Sequence, residues 1–253
     1  MKASTIYDLI HNFRRHRPGF CNVCGKRSLF FCLDAESARN TMLCAFCRSC
    51  SRTRHVAKTL LDIHDKANSS MKALSHELPF TIYNTAASDS LTKYLRQSNN
   101  YSCSEFFPGV KPGEKKNGIL CQDIQNLEFK HESFDVLITE DVLEHVPDFK
   151  QAFSEILRVL RKGGHHIFSL PFYFDRQTTT RAVVDDSKIR HIRSPAFHSD
   201  SLREKILVFT DFGFDLFDFL KSLGFETAVR FSTYSDLLKL GISDSYVFIS
   251  KKT

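Results

Sequence analysis

The sequence predicts an α/β fold, in which a parallel sheet covered by helices follows a small cysteine-rich head. Two observations predict it. Beyond about residue 77, short apolar runs alternate with segments of helical periodicity, which is typical of a parallel sheet covered on both faces. Before that point, six of the eight cysteines of the 253-residue chain crowd between positions 21 and 50. We therefore expect an N-terminal helix and cysteine cluster over 1–55, a linker helix over 56–76 and the sheet domain over 77–253.

The head contains two C-x2-C turns separated by nineteen residues, formed by Cys21, Cys24, Cys44 and Cys47. Four thiolates complete a tetrahedral zinc shell, so the predicted site is structural rather than catalytic. Cys50 continues the second turn at the same spacing and His55 lies further on, so each is an alternative fourth ligand. No secretory signal or membrane span is visible, which favours thiols in a cytoplasmic protein over disulfides.

Positive charge is concentrated in this head. The first sixty residues carry eleven Lys and Arg against three Asp and Glu, whereas the whole chain has a net charge of +6. RNA held by Arg48, Arg52 and Arg54 is one interpretation. Compensation of a thiolate–metal cluster and a solvated basic rim are the others, because no aromatic stacking pattern accompanies the charges.

The elements of the remaining chain follow in order. A helix from about His55 to Leu74 ends in the polar stretch 66–70. Strands are predicted at 80–83, 101–105, 118–121, 134–139, 165–170, 225–231 and 246–250, and helices at 88–97, 148–160 and 211–223. The helix over 148–160 has apolar residues at i, i+3, i+4 and i+7 and is expected to stop at Gly163-Gly164. Ser88 is the expected cap of the helix that follows the first strand.

Polar residues follow successive strands, where ligands bind in open α/β sheets. They are Asn84 and Thr85 after the first strand, Glu105 after the second, Asp123 after the third, and Glu140 and Asp141 after the fourth. A row of carboxylates suits a ligand with ribose hydroxyls and an exocyclic amine better than a polyphosphate. Capping of strand ends is the structural alternative.

The stretch FDVLITEDVLEHV at 134–146, followed by LRVLRKGG at 157–164, resembles the fourth and fifth motifs of class I S-adenosylmethionine-dependent methyltransferases. The resemblance begins near residue 77 and implies a Rossmann-like class I methyltransferase sheet with S-adenosylmethionine as cofactor. The cysteine-rich head is similar to that of a subgroup of bacterial methyltransferases with a zinc-binding head.

The resemblance also implies roles for individual residues. Glu105 would bind the ribose diol, Asp123 the adenine amine and Ile124 the ring face, while Glu140, Asp141 and Val142 would line the methionine side. The loop at the carboxypropyl group would comprise Tyr83, Asn84, Thr85 and Ala86. Because this loop lacks the family's G-x-G-x-G glycines, a degenerate scaffold without catalysis is an alternative.

Transfer to a hydroxyl requires a base, and histidine is suited to that role near neutral pH. The candidates are His145 after the fourth strand, and His191 and His198 in the polar insert over 172–203, with Asp141 beside the methyl group. Packing beneath the cofactor is the structural alternative for His145.

Three functions fit these features. The polar insert favours O- or N-methylation of a small-molecule or glycan acceptor. An rRNA or tRNA methyltransferase that binds RNA through the basic head is the second, although the fourth strand ends in Thr139-Glu140-Asp141 and lacks the Asn/Asp-Pro-Pro-Tyr signature of amino-group RNA methylation. A non-catalytic scaffold is the third. No membrane partner is expected.

Overall fold

A computed structural model describes residues 11–186, 188–199 and 205–253. The expected N-terminal helix lies partly outside these residues. The chain divides into two compact units: unit 1 comprises Met1–Cys103 with Val229–Phe248, and unit 2 comprises Ser104–Ala228 with Ile249–Thr253. The predicted domain limits are not tested by this division and stay predictions.

The helices and strands have the following bounds. The α-helices are α1 Ala38–Thr41, α2 Ser51–Ile63, α3 Met71–Leu74, α4 Ser90–Leu95, α5 Phe149–Val159, α6 Leu216–Leu223 and α7 Tyr234–Leu240, and 3-10 helices lie at Phe13–Arg15 and Leu143–His145. The first nine strands are β1 Arg17–Phe20, β2 Arg27–Cys32, β3 Met42–Cys44, β4 Ile82–Asn84, β5 Tyr101–Cys103, β6 Lys115–Lys116, β7 Ile119–Leu120, β8 Phe134–Glu140 and β9 Leu160–Ser169. The others are β10 Phe172–Tyr173, β11 Thr179–Thr180, β12 Ala182–Asp185, β13 Lys188–His191, β14 Phe197–His198, β15 Ile206–Leu207, β16 Thr210–Gly213, β17 Phe225–Phe231 and β18 Tyr246–Lys252.

The predicted fold class is confirmed: the protein has a Rossmann-like class I methyltransferase fold with a central mixed sheet flanked by helices. In unit 1, β4 and β5 run parallel, with Ile82 opposite Tyr101 and Asn84 opposite Cys103. In unit 2, β8 and β9 run parallel, with Val136 opposite His165 and Glu140 opposite Ser169.

The head of unit 1 is a three-stranded antiparallel sheet in the order β1-β2-β3. Phe30 on β2 is fully buried, and Gly241 after α7 lies so close to its ring that a Cβ there would stand 2.2 Å from a ring carbon. Gly241 has a φ of +62°, a backbone conformation that glycine adopts without a side-chain clash. The head and the segment after α7 are thus packed without space for a larger residue.

Helix α5 is the best example of a sequence pattern that fixes an element. Asp148 caps its N-terminus through Oδ1, which accepts the Gln151 N–H at 3.0 Å. Its apolar stripe is buried at Ala152, Phe153, Ile156 and Val159. The expected stop at Gly163-Gly164 is wrong, because the chain enters β9 at Leu160 directly after the helix.

Three further expectations need correction. The linker helix is shorter than predicted, since α2 ends at Ile63 and only the single turn α3 follows. The cap of α4 is Asp89 rather than Ser88, because Asp89 Oδ1 accepts the Thr92 N–H. The segment predicted as a helix from Asp211 begins as strand β16, whose carbonyls and amides pair with β10 and β11 before α6 starts. Across the described ranges, no helix has both the length and the apolar character that crossing a bilayer requires.

Candidate functional site

The four cysteines of the two C-x2-C turns come together in unit 1. The sulfur atoms of Cys21, Cys24, Cys44 and Cys47 all lie within 4.8 Å of one another, and all four side chains are buried. The Cys21–Cys47 and Cys24–Cys44 sulfur distances are 3.6 and 3.9 Å. Sulfurs bound to one zinc at ~2.3 Å stand ~3.8 Å apart at tetrahedral corners. The donor set and its spacing therefore fit a zinc ion.

Two hydroxyl groups surround these thiols. Ser49 Oγ lies 3.2 Å from the Cys47 sulfur and 3.4 Å from that of Cys21, and Ser28 Oγ lies 3.2 Å from that of Cys44. Outer hydroxyls of this kind orient ligands and offset thiolate charge.

The two alternative ligands lie elsewhere. The Cys50 sulfur contacts Thr53 Oγ1 at 3.4 Å, at the N-cap of α2. His55 is buried on α2 and its Nδ1 contacts Ser245 Oγ at 3.1 Å. Burial lowers the pKa of His55 to about 4, which keeps the ring neutral. Neither residue belongs to the four-sulfur group.

The expectation that Arg54 could bind phosphate is wrong, because its side chain is fully buried. Its guanidinium donates to the backbone carbonyls of Leu240, Met42, Gly241 and Ser49, and it lies 4.2 Å over the Phe30 ring. Arg52 donates to Asn40 Oδ1 at 3.0 Å and remains partly exposed, and Arg48 is exposed with a φ of +64°. The basic head thus offers fewer phosphate-binding groups than its composition suggests.

The loop after β4 has its own hydrogen-bond network in unit 1. The Asn84 amide nitrogen donates to Asp89 Oδ2 and to the Tyr101 hydroxyl, both at 3.0 Å. Asn84 Oδ1 accepts the Ala86 N–H at 3.2 Å. Tyr83 and Asn84 are buried, and Thr85 and Ala86 are half-buried. The Asn84 side chain is therefore used to hold the glycine-free loop in shape, which leaves contact with a cofactor to the backbone of this loop.

Unit 2 brings Glu105 beside the predicted adenine-binding segment. Glu105 pairs with Cys121 as an isolated parallel bridge, and the Gln122 N–H donates to the Glu105 carbonyl at 3.1 Å. Glu105 is 7% exposed and Ile124 is also buried. Asp123 Oδ1 accepts the Gln125 N–H at 2.9 Å, which is a turn-forming contact. The adenine-binding role of Asp123 stays a prediction.

A sharp turn follows β8. Asp141 has a φ of +53°, and its N–H donates to the Ser169 carbonyl at 2.9 Å while its Oδ1 accepts the Ser169 hydroxyl at 3.0 Å. Glu140, Asp141 and Val142 are half-buried. The turn leads directly into the 3-10 helix that carries His145.

The structure brings two of the predicted bases together and adds a third residue that the sequence analysis missed. His198 Nδ1 lies 3.3 Å from His145 Nε2, and each of these nitrogens lies 3.6 Å from Glu144 Oε1. We call Glu144, His145 and His198 the triad. The two histidines lie 53 positions apart in the sequence, so no local sequence pattern reveals the triad. The Glu144 carboxylate raises the pKa of His198 above its usual range.

His191 lies outside the triad. It ends β13 on an exposed hairpin, where it pairs with Ala182 of β12.

The central part of the chain matches a known protein family. Residues 101–168 match the methyltransferase domain family. This methyltransferase match spans β5 to β9 and includes Glu105, Asp123 and the turn after β8. It supports the motif resemblance and the expected class of enzyme.

Two curated relatives and one solved structure are methyltransferases as well. The chain is 46% identical over 43 residues to phthiotriol/phenolphthiotriol dimycocerosates methyltransferase of Mycobacterium leprae, covering 17% of this chain and 16% of the relative. It is 30% identical over 84 residues to phosphatidylethanolamine N-methyltransferase of Cereibacter sphaeroides, covering 33% and 40%. The chain thus spans less than half the length of these relatives. An S-adenosylmethionine dependent methyltransferase from Mesorhizobium loti aligns over 74% of this chain and 99% of its own, at 15% identity and a TM-score of 0.43.

Proposed function

We propose that the protein is an S-adenosylmethionine-dependent methyltransferase that acts on a small-molecule acceptor. The observation that carries the proposal is the methyltransferase match over residues 101–168, which ends on the strands around the predicted ligand edge. The names of the two curated relatives, one of them a phosphatidylethanolamine N-methyltransferase, favour lipids and other small molecules over RNA. The burial of Arg54 further weakens the RNA alternative.

The residues that we expect to hold the cofactor are those of the predicted set. When bound, S-adenosylmethionine supplies an electrophilic methyl group. Glu105 offers a buried carboxylate that can accept two hydrogen bonds from a ribose diol. Asp123 and Ile124 follow the strand segment paired with Glu105 and suit an adenine amine and ring. The half-buried residues 140–142 suit the methionine side.

The triad is the proposed acceptor side. An acceptor hydroxyl must lose its proton as the new bond to carbon forms, and imidazole groups lower the barrier for that step. His145 is fixed by a 2.8 Å contact between its Nδ1 and the Leu207 carbonyl, and Glu144 would stabilise positive charge on either ring. Asp141 precedes the triad by three positions and would help to place the acceptor. His191, on its exposed hairpin, has no part in this proposal.

We also propose a structural zinc ion in the head, bound by Cys21, Cys24, Cys44 and Cys47. The four buried sulfurs and their separations support it. All four positions of the metal are then taken by protein, so the ion would stabilise the head and take no part in methyl transfer.

Calorimetry with S-adenosylmethionine tests the cofactor site. The wild-type chain should bind, and Glu105→Ala should weaken binding by ~1.5–3 kcal/mol, the range for a hydrogen bond with a charged partner. Asp123→Ala should weaken it less, because its carboxylate also serves the local turn. Glu128→Ala, at an exposed carboxylate of the same unit, is the matched control and should bind normally. A wild-type chain without affinity would support the scaffold alternative instead.

Methyl transfer itself is tested with a labelled methyl donor and a panel of lipid, small-molecule, glycan and RNA acceptors. Label in a small-molecule or lipid fraction is the expected result. Label in RNA, lost at high salt, would overturn the acceptor class and leave the cofactor proposal intact.

A further inference from the structure

The triad has a feature that a general base does not explain. Glu144 is 1% exposed, and within the described part of the chain neither of its carboxylate oxygens has a hydrogen-bond partner. The facing ring nitrogens of His145 and His198 each lie 3.6 Å from Oε1, which is beyond hydrogen-bond distance. A buried carboxylate without a hydrogen-bond partner is costly, so this position is suited to a positive group that comes closer than the two rings.

The spacing of the triad's three facing atoms indicates that this positive group is a metal ion. Its three facing atoms form a triangle with edges of 3.3, 3.6 and 3.6 Å. Ligand atoms ~2.0–2.2 Å from a tetrahedral zinc ion stand ~3.3–3.6 Å apart. An ion placed against this triangle would reach all three atoms without movement of the backbone.

The orientation of His145 also favours a metal ion at the triad. Its Nδ1 faces the Leu207 carbonyl at 2.8 Å, so that nitrogen carries the proton and Nε2 turns its lone pair toward the triangle. A histidine that ligates a metal commonly donates its other ring N–H to a backbone carbonyl in this way. The Phe209 N–H also donates to the Glu144 carbonyl at 2.7 Å, so the segment after β15 is fixed to the 3-10 helix that carries Glu144 and His145.

We propose that Glu144, His145 and His198 bind a divalent transition metal ion, with zinc as the best match. Two imidazoles and one carboxylate are a donor set that zinc accepts, and they leave its fourth position open. His198 is 43% exposed on its side chain, so that position can be reached from solvent. Water or an oxygen atom of an acceptor would take it. The inference rests on geometry and does not depend on the S-adenosylmethionine site. With the ion bound, the two imidazoles would act as its ligands in place of the proton-accepting role proposed for them above.

Zinc titration of the full chain, followed by calorimetry and by elemental analysis after dialysis, tests the proposal. The wild type should hold one zinc equivalent more than His198→Ala or Glu144→Gln, and affinity at this site should fall by more than about 100-fold, the upper end for loss of an outer partner. His191→Ala, on the exposed hairpin of the same insert, should keep the extra equivalent. Equal zinc in wild type and His198→Ala would overturn the proposal. A loss of zinc in His191→Ala as large as that in His198→Ala would also overturn the proposal.

The outcome is separable from that of the two other proposals. Cys21→Ser should remove a different equivalent and leave the triad's zinc in place. Full methyl transfer by a chain that holds no zinc at the triad would keep the proposed function and overturn the metal site. Zinc at the triad of a chain that binds no S-adenosylmethionine would support the metal site and overturn the proposed function.

Discussion

Replacement of the buried Arg54 by alanine provides a direct test of how unit 1 is held together. The guanidinium donates to four backbone carbonyls, three of them at 2.9, 2.9 and 2.6 Å. Two acceptors, Leu240 and Gly241, lie more than 180 positions further along the chain. Arg54→Ala therefore removes a link between the head and the segment after α7 and leaves all four carbonyls without this donor.

The expected cost follows from these contacts. A hydrogen bond from a charged donor contributes ~1.5–3 kcal/mol, but four such bonds do not add fully, because water enters the space left by the side chain. We expect a loss of ~3–5 kcal/mol, the range for breaking a buried charged interaction. Typical domains have a stability of ~5–15 kcal/mol, so the variant should lose a large part of its stability. In thermal unfolding, a loss of 1 kcal/mol lowers the midpoint temperature by ~2–4 °C, so the midpoint temperature of the variant should fall by roughly 6–20 °C.

Urea unfolding of the zinc-loaded full chain, monitored by circular dichroism, measures this loss. Arg52→Ala is the matched control, since Arg52 lies two positions away, is partly exposed and donates to the Asn40 side chain. The control should change stability by less than ~1 kcal/mol. A similar small change in Arg54→Ala, with its zinc content intact, would refute the reasoning.

Three further predictions concern metal, pH and packing. Cys47→Ser should lose one zinc equivalent while Cys50→Ser keeps it, as measured by elemental analysis; the opposite result would make Cys50 the fourth ligand. Burial lowers the pKa of His166 to about 3, so the unfolded state takes up a proton below pH ~6.5 while the folded state does not, and stability should fall by ~2 kcal/mol between pH 7 and 5. His166→Gln should lose that part of the pH dependence, whereas the exposed His131→Gln should retain it, and equal slopes would contradict the prediction. Gly241→Ala should lower the free energy of unfolding by ~1–3 kcal/mol more than Gly109→Ala. Both glycines have positive φ, but only at Gly241 would the added methyl group press against the Phe30 ring. Equal shifts of the thermal midpoint in the two variants would count against this.

Much of the fold was accessible from periodicity and spacing. Helix α5 follows its apolar stripe, and the two C-x2-C turns bring their sulfurs together as their spacing predicts. Both are local patterns or repeats of a local pattern, which a single sequence displays directly. The strand at 210–213 was not accessible, because its pairing with β10 and β11 is a tertiary contact that overrides the helical pattern of the residues that follow.

The sites show the same division between local and distant information. Arg54 looks like a surface charge in a basic stretch, since the carbonyls that surround it come from residues 42, 49, 240 and 241. Glu144 stands next to His145 in the sequence, yet it gains significance only when His198 folds back beside it. Cofactor residues such as Glu105 were proposed through motif resemblance, and their roles stay predictions.

The partners of Arg54 also set an order of events during protein synthesis. Its guanidinium bonds to the carbonyl of Gly241, which is added to the growing chain 187 residues later. At about 5–20 residues per second, that delay amounts to roughly 10–40 s. Until then the nascent head lacks two of the four carbonyls that accept hydrogen bonds from this buried guanidinium. The segment around Arg54, although made before residues 240 and 241, should therefore reach its final state only after they have been added.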